Sequence, residues 1–202
     1  PPLSGEKGAD DAYERALQRL FDEQKKYAVI RYDGFLQAVK YPWHFLRLTE
    51  FFLTQQKKTI SKKAKIAKTA VINGHVVIED GAKVYDHAVI NGPAYIGKDS
   101  IVGNHVLIRS SSIGERCVIG SFTEVARSLL QDEVWTHKNY VGDSVIGENV
   151  SFGSGTVTGN LRLDEGEISV SIGEESVKTR TNKLGLICGN DIRVGINTSF
   201  MP

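Results

Sequence analysis

The sequence predicts a mainly β protein, in which a parallel β-helix follows a short N-terminal α/β segment. Large apolar residues recur at every sixth position, a small or short residue stands four positions after most of them, and glycine often follows directly. A period of six fits neither an α-helix nor a simple alternating strand, but it is typical of short strands that turn a corner every few residues. The apolar series comprises Ile60, Ile66, Ile72, Ile78, Val84, Ile90, Ile96, Val102, Ile108, Ile113, Ile119, Val125, Ile146, Phe152, Thr158, Cys188, Val194 and Phe200.

Each position of the repeat has an expected role. The large residue is expected to point into the prism and the small one to fill a tight corner. Glycine after the large residue is expected to supply the backbone angles of the turn. Because each coil buries its face only against its neighbours, stability is expected to add up over the stacked coils.

Composition excludes several classes of protein. The chain has 202 residues and a formal net charge of +1, so it lacks the basic field of a nucleic-acid-binding protein. The lysine-rich run 57–68 is best explained as a solvated first coil. Cys117 and Cys188 fall on core positions, which predicts buried free thiols in a reducing cytoplasm. No apolar run approaches the roughly 18 residues that a membrane span requires.

The N-terminal segment 1–58 lacks the repeat. Asp10 or Asp11 is expected to cap a helix that runs to about Gln24. Residues 27–32 and 35–39 are strand candidates around an Asp-Gly turn, and Pro42 suits the first turn of a second helix. The residues expected to form the apolar faces of the two helices are Tyr13, Ala16, Leu17, Leu20 and Phe21, and then Trp43, Leu46, Phe51, Phe52 and Leu53.

Two interruptions of the repeat are candidate site regions, because binding residues concentrate on loops that leave a solenoid. The first runs from Arg127 to Val141 and contains His137 in an expected irregular loop. The second covers residues 161–183, where alternating apolar residues predict a hairpin. Regular coils resume at Leu186, and further chain or a partner is expected to cover their end after Pro202.

Two sets of histidines could carry chemistry. His87 and His105 are separated by three periods of the repeat and are expected to stack on successive coils. Zinc bound to such imidazoles would activate water, but no acidic partner is evident, and we assign no metal site. His137 is the better candidate, because an imidazole titrates near neutral pH and can remove a proton from a nucleophile.

The run HKNYVGDSVIGENVSFGSGTVTGN, residues 137–160, resembles the acetyltransferase half of the bifunctional family that combines glucosamine-1-phosphate acetyltransferase and N-acetylglucosamine-1-phosphate uridyltransferase, most closely its archaeal-type members. Residues 108–125 and 182–202 are similar to the same family. Residues 27–50 resemble the end of its nucleotidyltransferase domain. The resemblance therefore implies that residues 1–58 are a remnant or the tail of that domain, and that residues 59–202 form the acetyltransferase domain with an excursion at 161–183.

By this resemblance the β-helix is left-handed, works as a cytoplasmic homotrimer and uses acetyl-CoA and a sugar phosphate at sites between subunits. His137 corresponds to the general base, and the backbone amide of Ser154 to the group that meets the thioester. The sugar-phosphate residues implied are Arg109, Glu124, Arg127, Tyr140, Asn160 and Lys183. Ser151, Leu161 and Ile196 depart from the family pattern. The glycine-rich signature of nucleotide transfer is absent, so residues 1–55 are not expected to catalyse it.

Chemistry agrees with these roles. An ammonium group cannot attack a thioester until it loses a proton, the tetrahedral oxyanion needs a fixed donor, and a phosphate needs cations. The first hypothesis is acetyl transfer to the amine of a hexosamine 1-phosphate. The second is a non-catalytic trimerisation or regulatory domain of a sugar-1-phosphate nucleotidyltransferase. A metal-dependent carbonic anhydrase of the same fold is a remote third.

Overall fold

The computed structural model describes residues 12–202, and the helix cap expected at Asp10 or Asp11 lies outside them. The chain divides into two units, Pro1–Leu36 and Gln37–Pro202. In the first unit, helix α1 spans Ala12–Asp22, so it ends two residues before the predicted boundary. Its apolar residues Tyr13, Leu17, Leu20 and Phe21 are exposed.

The strands expected at residues 27–32 and 35–39 are absent. Both segments are irregular, and side chains such as Val29, Ile30 and Leu36 are exposed. The prediction was wrong because β-branched and aromatic residues favour a strand only where a partner strand and a buried face are available. Helix α2 is present and spans His44–Gln55. Leu53 is buried on it and Trp43 just before it, but Phe52 is 60% exposed and does not belong to the buried stripe.

The predicted parallel β-helix is confirmed. Residues 59–200 supply three parallel sheets of seven short strands each, and successive strands of the chain pass from one sheet to the next. Sheet A contains β1 (Thr59–Ile60), β4 (Val76–Ile78), β7 (Ala94–Ile96), β10 (Ser112–Ile113), β13 (Leu129–Leu130), β16 (Val145–Ile146) and β21 (Ile187–Cys188). Sheet B contains β2 (Lys65–Ile66), β5 (Lys83–Val84), β8 (Ile101–Val102), β11 (Val118–Ile119), β14 (Trp135–Thr136), β17 (Ser151–Phe152) and β22 (Arg193–Val194). Sheet C contains β3 (Val71–Asn73), β6 (Val89–Asn91), β9 (Leu107–Arg109), β12 (Glu124–Ala126), β15 (Tyr140–Gly142), β18 (Val157–Thr158) and β23 (Ser199–Phe200).

The large residues of the repeat form one continuous core. Ile90, Ile108, Ile119 and Phe152 are completely buried, whereas those of the first and last coils are only partly covered. Both cysteines are free; Cys117 is buried in this core as predicted, whereas Cys188, on the last coil, is only half-buried. Burial raises the pKa of the Cys117 thiol to about 11, so this thiol is expected to be unreactive.

Short polar side chains complete the tight corners. The Ser111 hydroxyl accepts a hydrogen bond from the backbone N–H of Ser128 at 3.1 Å, and the Ser128 hydroxyl accepts one from Ser144 at 3.0 Å. These serines are fully buried. They satisfy backbone N–H groups that a turning strand would otherwise leave unpaired, which explains why small residues recur at the corners.

Glycine after the large residue is required by space, not by backbone angle. A Cβ at Gly120 would lie 2.3 Å from the carbonyl oxygen of Thr136 in the next coil, and one at Gly97 would lie 2.4 Å from that of Gly114. Neither glycine has a positive φ. Corner residues such as His105 (φ 56°) and Phe122 (φ 61°) adopt the left-handed conformation instead. The expectation that these glycines supply turn angles was therefore wrong.

The expected interruption at residues 127–141 is also wrong. Strands β13, β14 and β15 continue the three sheets, with Leu130, Thr136 and Val141 at the core positions. The coils shorten instead: Ile90 pairs with Ile108, but Val125 pairs with Val141, which is two positions closer along the chain. Two corners have lost one residue each and a buried threonine replaces an aliphatic residue, so the period of six disappears from the sequence while the strands stay paired.

The hairpin predicted within residues 161–183 is present. Strands β19 (Ser169–Ile172) and β20 (Glu175–Lys178) are antiparallel, and the excursion leaves the β-helix after β18 and returns before β21. Its base packs against the start of α2 through a second small core of Trp43, Ile168 and Leu184. Helix α2 itself lies against β13 of sheet A.

Candidate functional site

Sheet C and its two corners bring together the residues expected to form the site. One corner, between sheets B and C, holds His137 and Ser154. The other, between sheets C and A, holds Arg127, Asp143 and Asn160. Tyr140 and Glu124 lie on the strands between them. Because a strand advances about 3.3 Å per residue, the three residues of β15 separate the corners by roughly 10 Å.

His137 stands on a tight corner between β14 and β15, not in an irregular loop. It follows β14 directly, and its side chain is exposed. In the neighbouring coils the equivalent positions are Gly120 and Gly153, where a Cβ would meet the backbone of the next coil. The corner that begins at His137 has three residues, 137–139, whereas the corners at 120–123 and 153–156 have four. The shortened corner thus carries a side chain at a position where the two neighbouring four-residue corners have glycine.

Asn139 holds this corner in place. It is buried, with 4% of its surface exposed, and its amide nitrogen donates to the carbonyl oxygens of Gly153 at 2.8 Å and Thr156 at 3.1 Å. Its amide oxygen accepts a hydrogen bond from the backbone N–H of His137. Asn139 therefore fixes the His137 backbone relative to the coil that carries Ser154. Sequence reasoning missed this role, although an asparagine where other coils have a small corner residue was a visible signal.

Ser154 is exposed at the same corner, one coil further on. Its carbonyl oxygen accepts a hydrogen bond from Asn197 at 2.9 Å. Within the described part of the chain its backbone N–H has no hydrogen-bond acceptor, so this donor is available to a ligand.

The second corner is organised around Asp143. Its carboxylate accepts two hydrogen bonds from Arg127, at 2.7 Å and 2.6 Å, and a third from the amide nitrogen of Asn160. The same amide nitrogen lies 3.2 Å from the Tyr140 hydroxyl oxygen. The Asp143 carboxylate thus connects Arg127 with Asn160, and Asn160 in turn contacts Tyr140. The hydrogen bond to Asp143 also raises the pKa of Arg127 above its usual value.

Arg109 forms a separate pair. Its guanidinium group donates to the Glu124 carboxylate, with the Nε–Oε1 distance at 3.0 Å. The Arg109 side chain is 40% exposed and the Glu124 side chain 32%, so the pair lies at the surface of sheet C.

Lys183 lies where the excursion returns to the β-helix. It forms an antiparallel bridge with Leu161, and the next residue, Leu184, donates its backbone N–H to the carbonyl oxygen of Asn160 at 3.0 Å. Lys183 and Arg127 both line a cavity of about 1000 Å³ between α2 and the excursion. The other predicted site residues lie outside this cavity.

His87 and His105 do stack on successive coils, with ring centroids 5.0 Å apart, and Phe122 continues the stack at 5.2 Å from His105. Among residues 12–202 there is no group of three or more potential metal ligands. Neither described helix has the length and apolar character needed to cross a bilayer.

Replacing Asp143 by asparagine is expected to lower the free energy of unfolding by about 1–3 kcal/mol, because an amide cannot match the charge of the Arg127 guanidinium. This range allows for solvent screening, since 36% of the Arg127 side chain is exposed. Urea denaturation would measure the loss. Asp164→Asn is the matched control, because Asp164 forms a similar pair with Arg162 at an exposed position. Its unfolding midpoint is expected to stay unchanged, and equal losses in the two variants would contradict the prediction.

Fold and site together define a hexapeptide-repeat β-helix protein with polar residues gathered along one sheet. Residues 54–178 match the family described as the GMPPB C-terminal domain. The chain belongs to that family.

Curated relatives agree with this assignment. The chain is 40% identical over 189 residues to the bifunctional protein GlmU of Methanocaldococcus jannaschii, covering 93% of this chain and 45% of that protein. It is 34% identical over 185 residues to a bifunctional sugar-1-phosphate nucleotidylyltransferase/acetyltransferase of Sulfurisphaera tokodaii, covering 91% of this chain and 46% of that protein. The chain thus spans about half the length of these relatives, and the resemblance inferred from the sequence is confirmed.

Solved structures are more distant. The acetyltransferase domain of PglB from Neisseria gonorrhoeae, in complex with acetyl coenzyme A, has a TM-score of 0.44 and 15% identity, covering 71% of this chain and 84% of that domain. This likeness is too slight to support an argument about function.

Proposed function

We propose that residues 59–202 transfer an acetyl group from acetyl-CoA to the amine of a hexosamine 1-phosphate, in the synthesis of nucleotide sugars. The observation that carries this proposal is the arrangement on sheet C, where an exposed imidazole and an available backbone N–H share one corner and a network of polar residues occupies the next. The names of the relatives that match most of the chain support the same chemistry.

His137 and Ser154 have separate roles in the proposed reaction. His137 takes a proton from the sugar ammonium, so that the amine can attack the thioester carbonyl carbon. The backbone N–H of Ser154 donates to the oxyanion that forms as the carbonyl bond opens. When the tetrahedral intermediate collapses, the carbon–sulfur bond breaks and CoA leaves as a thiol, while the acetyl group remains on nitrogen as an amide.

Substrate orientation is assigned to the residues between the corners. Glu124, Tyr140 and Asn160 offer hydrogen bonds to the sugar hydroxyls, and Arg109, Arg127 and Lys183 supply positive charge near the phosphate. We further propose that the protein acts as a homotrimer, in which a neighbouring subunit closes each site over sheet C. A closed site would exclude water and strengthen the electrostatic contacts.

The alternative is a non-catalytic trimerisation or regulatory domain of a sugar-1-phosphate nucleotidyltransferase. It is favoured by the name of the Sulfurisphaera tokodaii relative, which includes a nucleotidylyltransferase activity and of which the chain covers 46%. In that case the residues of sheet C would have no reaction to catalyse.

Thiol release from acetyl-CoA separates the two proposals. With glucosamine 1-phosphate as acceptor, the purified protein is expected to release one thiol for each N-acetylated sugar formed, measured by a thiol reagent and by mass spectrometry. Galactosamine 1-phosphate and free glucosamine serve as comparison acceptors. The absence of thiol release with all three sugars, from a protein that is folded and trimeric by light scattering, would favour the non-catalytic domain.

A further inference from the structure

The cavity beside the second corner carries an excess of positive charge. Six of its lining residues are cationic and two are acidic: Lys40, Arg47, Arg127, Lys178, Arg180 and Lys183 against Glu50 and Asp143. Arg127 and Asp143 neutralise each other through their paired hydrogen bonds. The other cations lie on α2 and the residues before it and, opposite, on the returning arm of the excursion, residues 178–184.

The returning arm presents three cations without partners. Within residues 12–202, the side chains of Lys178, Arg180 and Lys183 form no ion pair or hydrogen bond. By contrast, Arg109 and Arg127 are each engaged by a carboxylate. An anion that enters the cavity would therefore meet uncompensated charge on the arm before it could displace Asp143 from Arg127.

The backbone that carries these cations is anchored. Thr179 lies between Lys178 and Arg180 and is buried, and its hydroxyl donates to the carbonyl oxygen of Ile168 at 2.7 Å. The backbone N–H of Arg180 donates to the Glu167 carboxylate at 2.9 Å. The small core of Trp43, Ile168 and Leu184 joins this arm to the start of α2. The cavity walls are thus held by packing, as in a preformed ligand site.

We propose that Lys178 and Arg180 bind the phosphate group of the acceptor sugar, an inference that rests on the function proposed above. The guanidinium fork of Arg180 matches two phosphate oxygens, and Lys178 adds a point charge beside it. Arg109 and Arg127 contribute less to phosphate binding, because each is engaged by a carboxylate, and Lys183 completes the cationic wall. Acetyl-CoA also carries phosphates, and the KM for acetyl-CoA in a variant of the two residues distinguishes that source from the sugar phosphate.

The test is the double variant Lys178→Met/Arg180→Met. The dissociation constant for glucosamine 1-phosphate, measured by calorimetry, is expected to rise about 10- to 100-fold, because two charge-assisted contacts are lost. The KM for acetyl-CoA is expected to remain within twofold of the wild-type value. Inorganic phosphate should compete with glucosamine 1-phosphate on the wild-type protein, and raising the salt concentration should weaken the competition.

Lys65→Met/Lys68→Met is the matched control. It removes the same two charges from exposed positions on the first coil, outside the cavity. Both double variants should keep the wild-type melting temperature. Unchanged affinity in the Lys178/Arg180 variant, an equal loss in the control, or a rise confined to the KM for acetyl-CoA would overturn the proposal.

This result is separable from the proposed function. A wild-type protein that binds glucosamine 1-phosphate through Lys178 and Arg180 but releases no thiol would refute acetyl transfer and leave the phosphate site standing. An active enzyme whose affinity for glucosamine 1-phosphate is unchanged in the Lys178/Arg180 variant would refute the phosphate site and leave acetyl transfer standing.

Discussion

Alanine in place of His137 is expected to lower kcat for acetyl transfer by about 100- to 10,000-fold, the range that general bases contribute. Without the imidazole, the sugar amine must lose its proton to water before it attacks the thioester. The KM for both substrates should change by much less, because the proposed role of His137 lies in the reaction rather than in binding. Steady-state thiol release at saturating substrate would measure the loss.

His105→Ala is the control for this experiment. His105 is an exposed histidine on the same corner of the β-helix, but it lies two coils earlier and stacks on His87 and Phe122. Its replacement should leave kcat within twofold of wild type. Retention of full activity by His137→Ala, in a protein that melts normally, would rule out the catalytic assignment of His137 even if the domain transfers acetyl groups.

Alanine in place of Phe152 is expected to lower the free energy of unfolding by about 3–5 kcal/mol. Phe152 is fully buried in sheet B and is paired with Val194 of the next coil; on its other side Trp135 pairs with Ser151, which brings Thr136 alongside it. Both neighbours are smaller than phenylalanine. The interior therefore cannot close over the space that the ring leaves, and urea denaturation should show an earlier midpoint.

Phe122→Ala isolates the effect of burial. Phe122 is the same residue type on a corner of the same β-helix, but it is 64% exposed. Its replacement is expected to change the free energy of unfolding by no more than about 0.5 kcal/mol. A loss at position 122 comparable to that at position 152 would contradict the view that the interior column of large residues provides most of the stability.

Part of this protein could be predicted from local sequence. The period of six, with Ile90 and Ile108 in one register, identifies a β-helix because every coil repeats the same local choice of strand, corner and strand. The free cysteines and the hairpin at 169–178 follow from comparably local patterns. His137 became a candidate through the resemblance and through the break in the repeat, part of which is a corner shortened by one residue.

Other features depend on contacts between coils, so a local pattern does not identify the residues that meet. Asp143 meets Arg127 because that coil of the β-helix is two residues shorter than a regular coil. The pattern of apolar residues does not indicate the length of a corner. Asn139 occupies the position of a small corner residue, but its hydrogen bonds reach across to the following coil. The strands expected before Val39 failed for the same reason, since strand propensity without a partner has nothing to pair with.

The order of residues along the chain was sufficient for the architecture, because stacked coils repeat one short-range rule many times. It was not sufficient for the cavity, whose walls come from α2 and from an excursion that follows six further coils of the chain. Trp43 packs against Ile168 and Leu184 although they lie far apart along the chain, because the β-helix brings the two segments together. The chemistry of the cavity depends on which of its charged side chains form pairs. The distances between those side chains are set by the folded structure and have no pattern in the sequence.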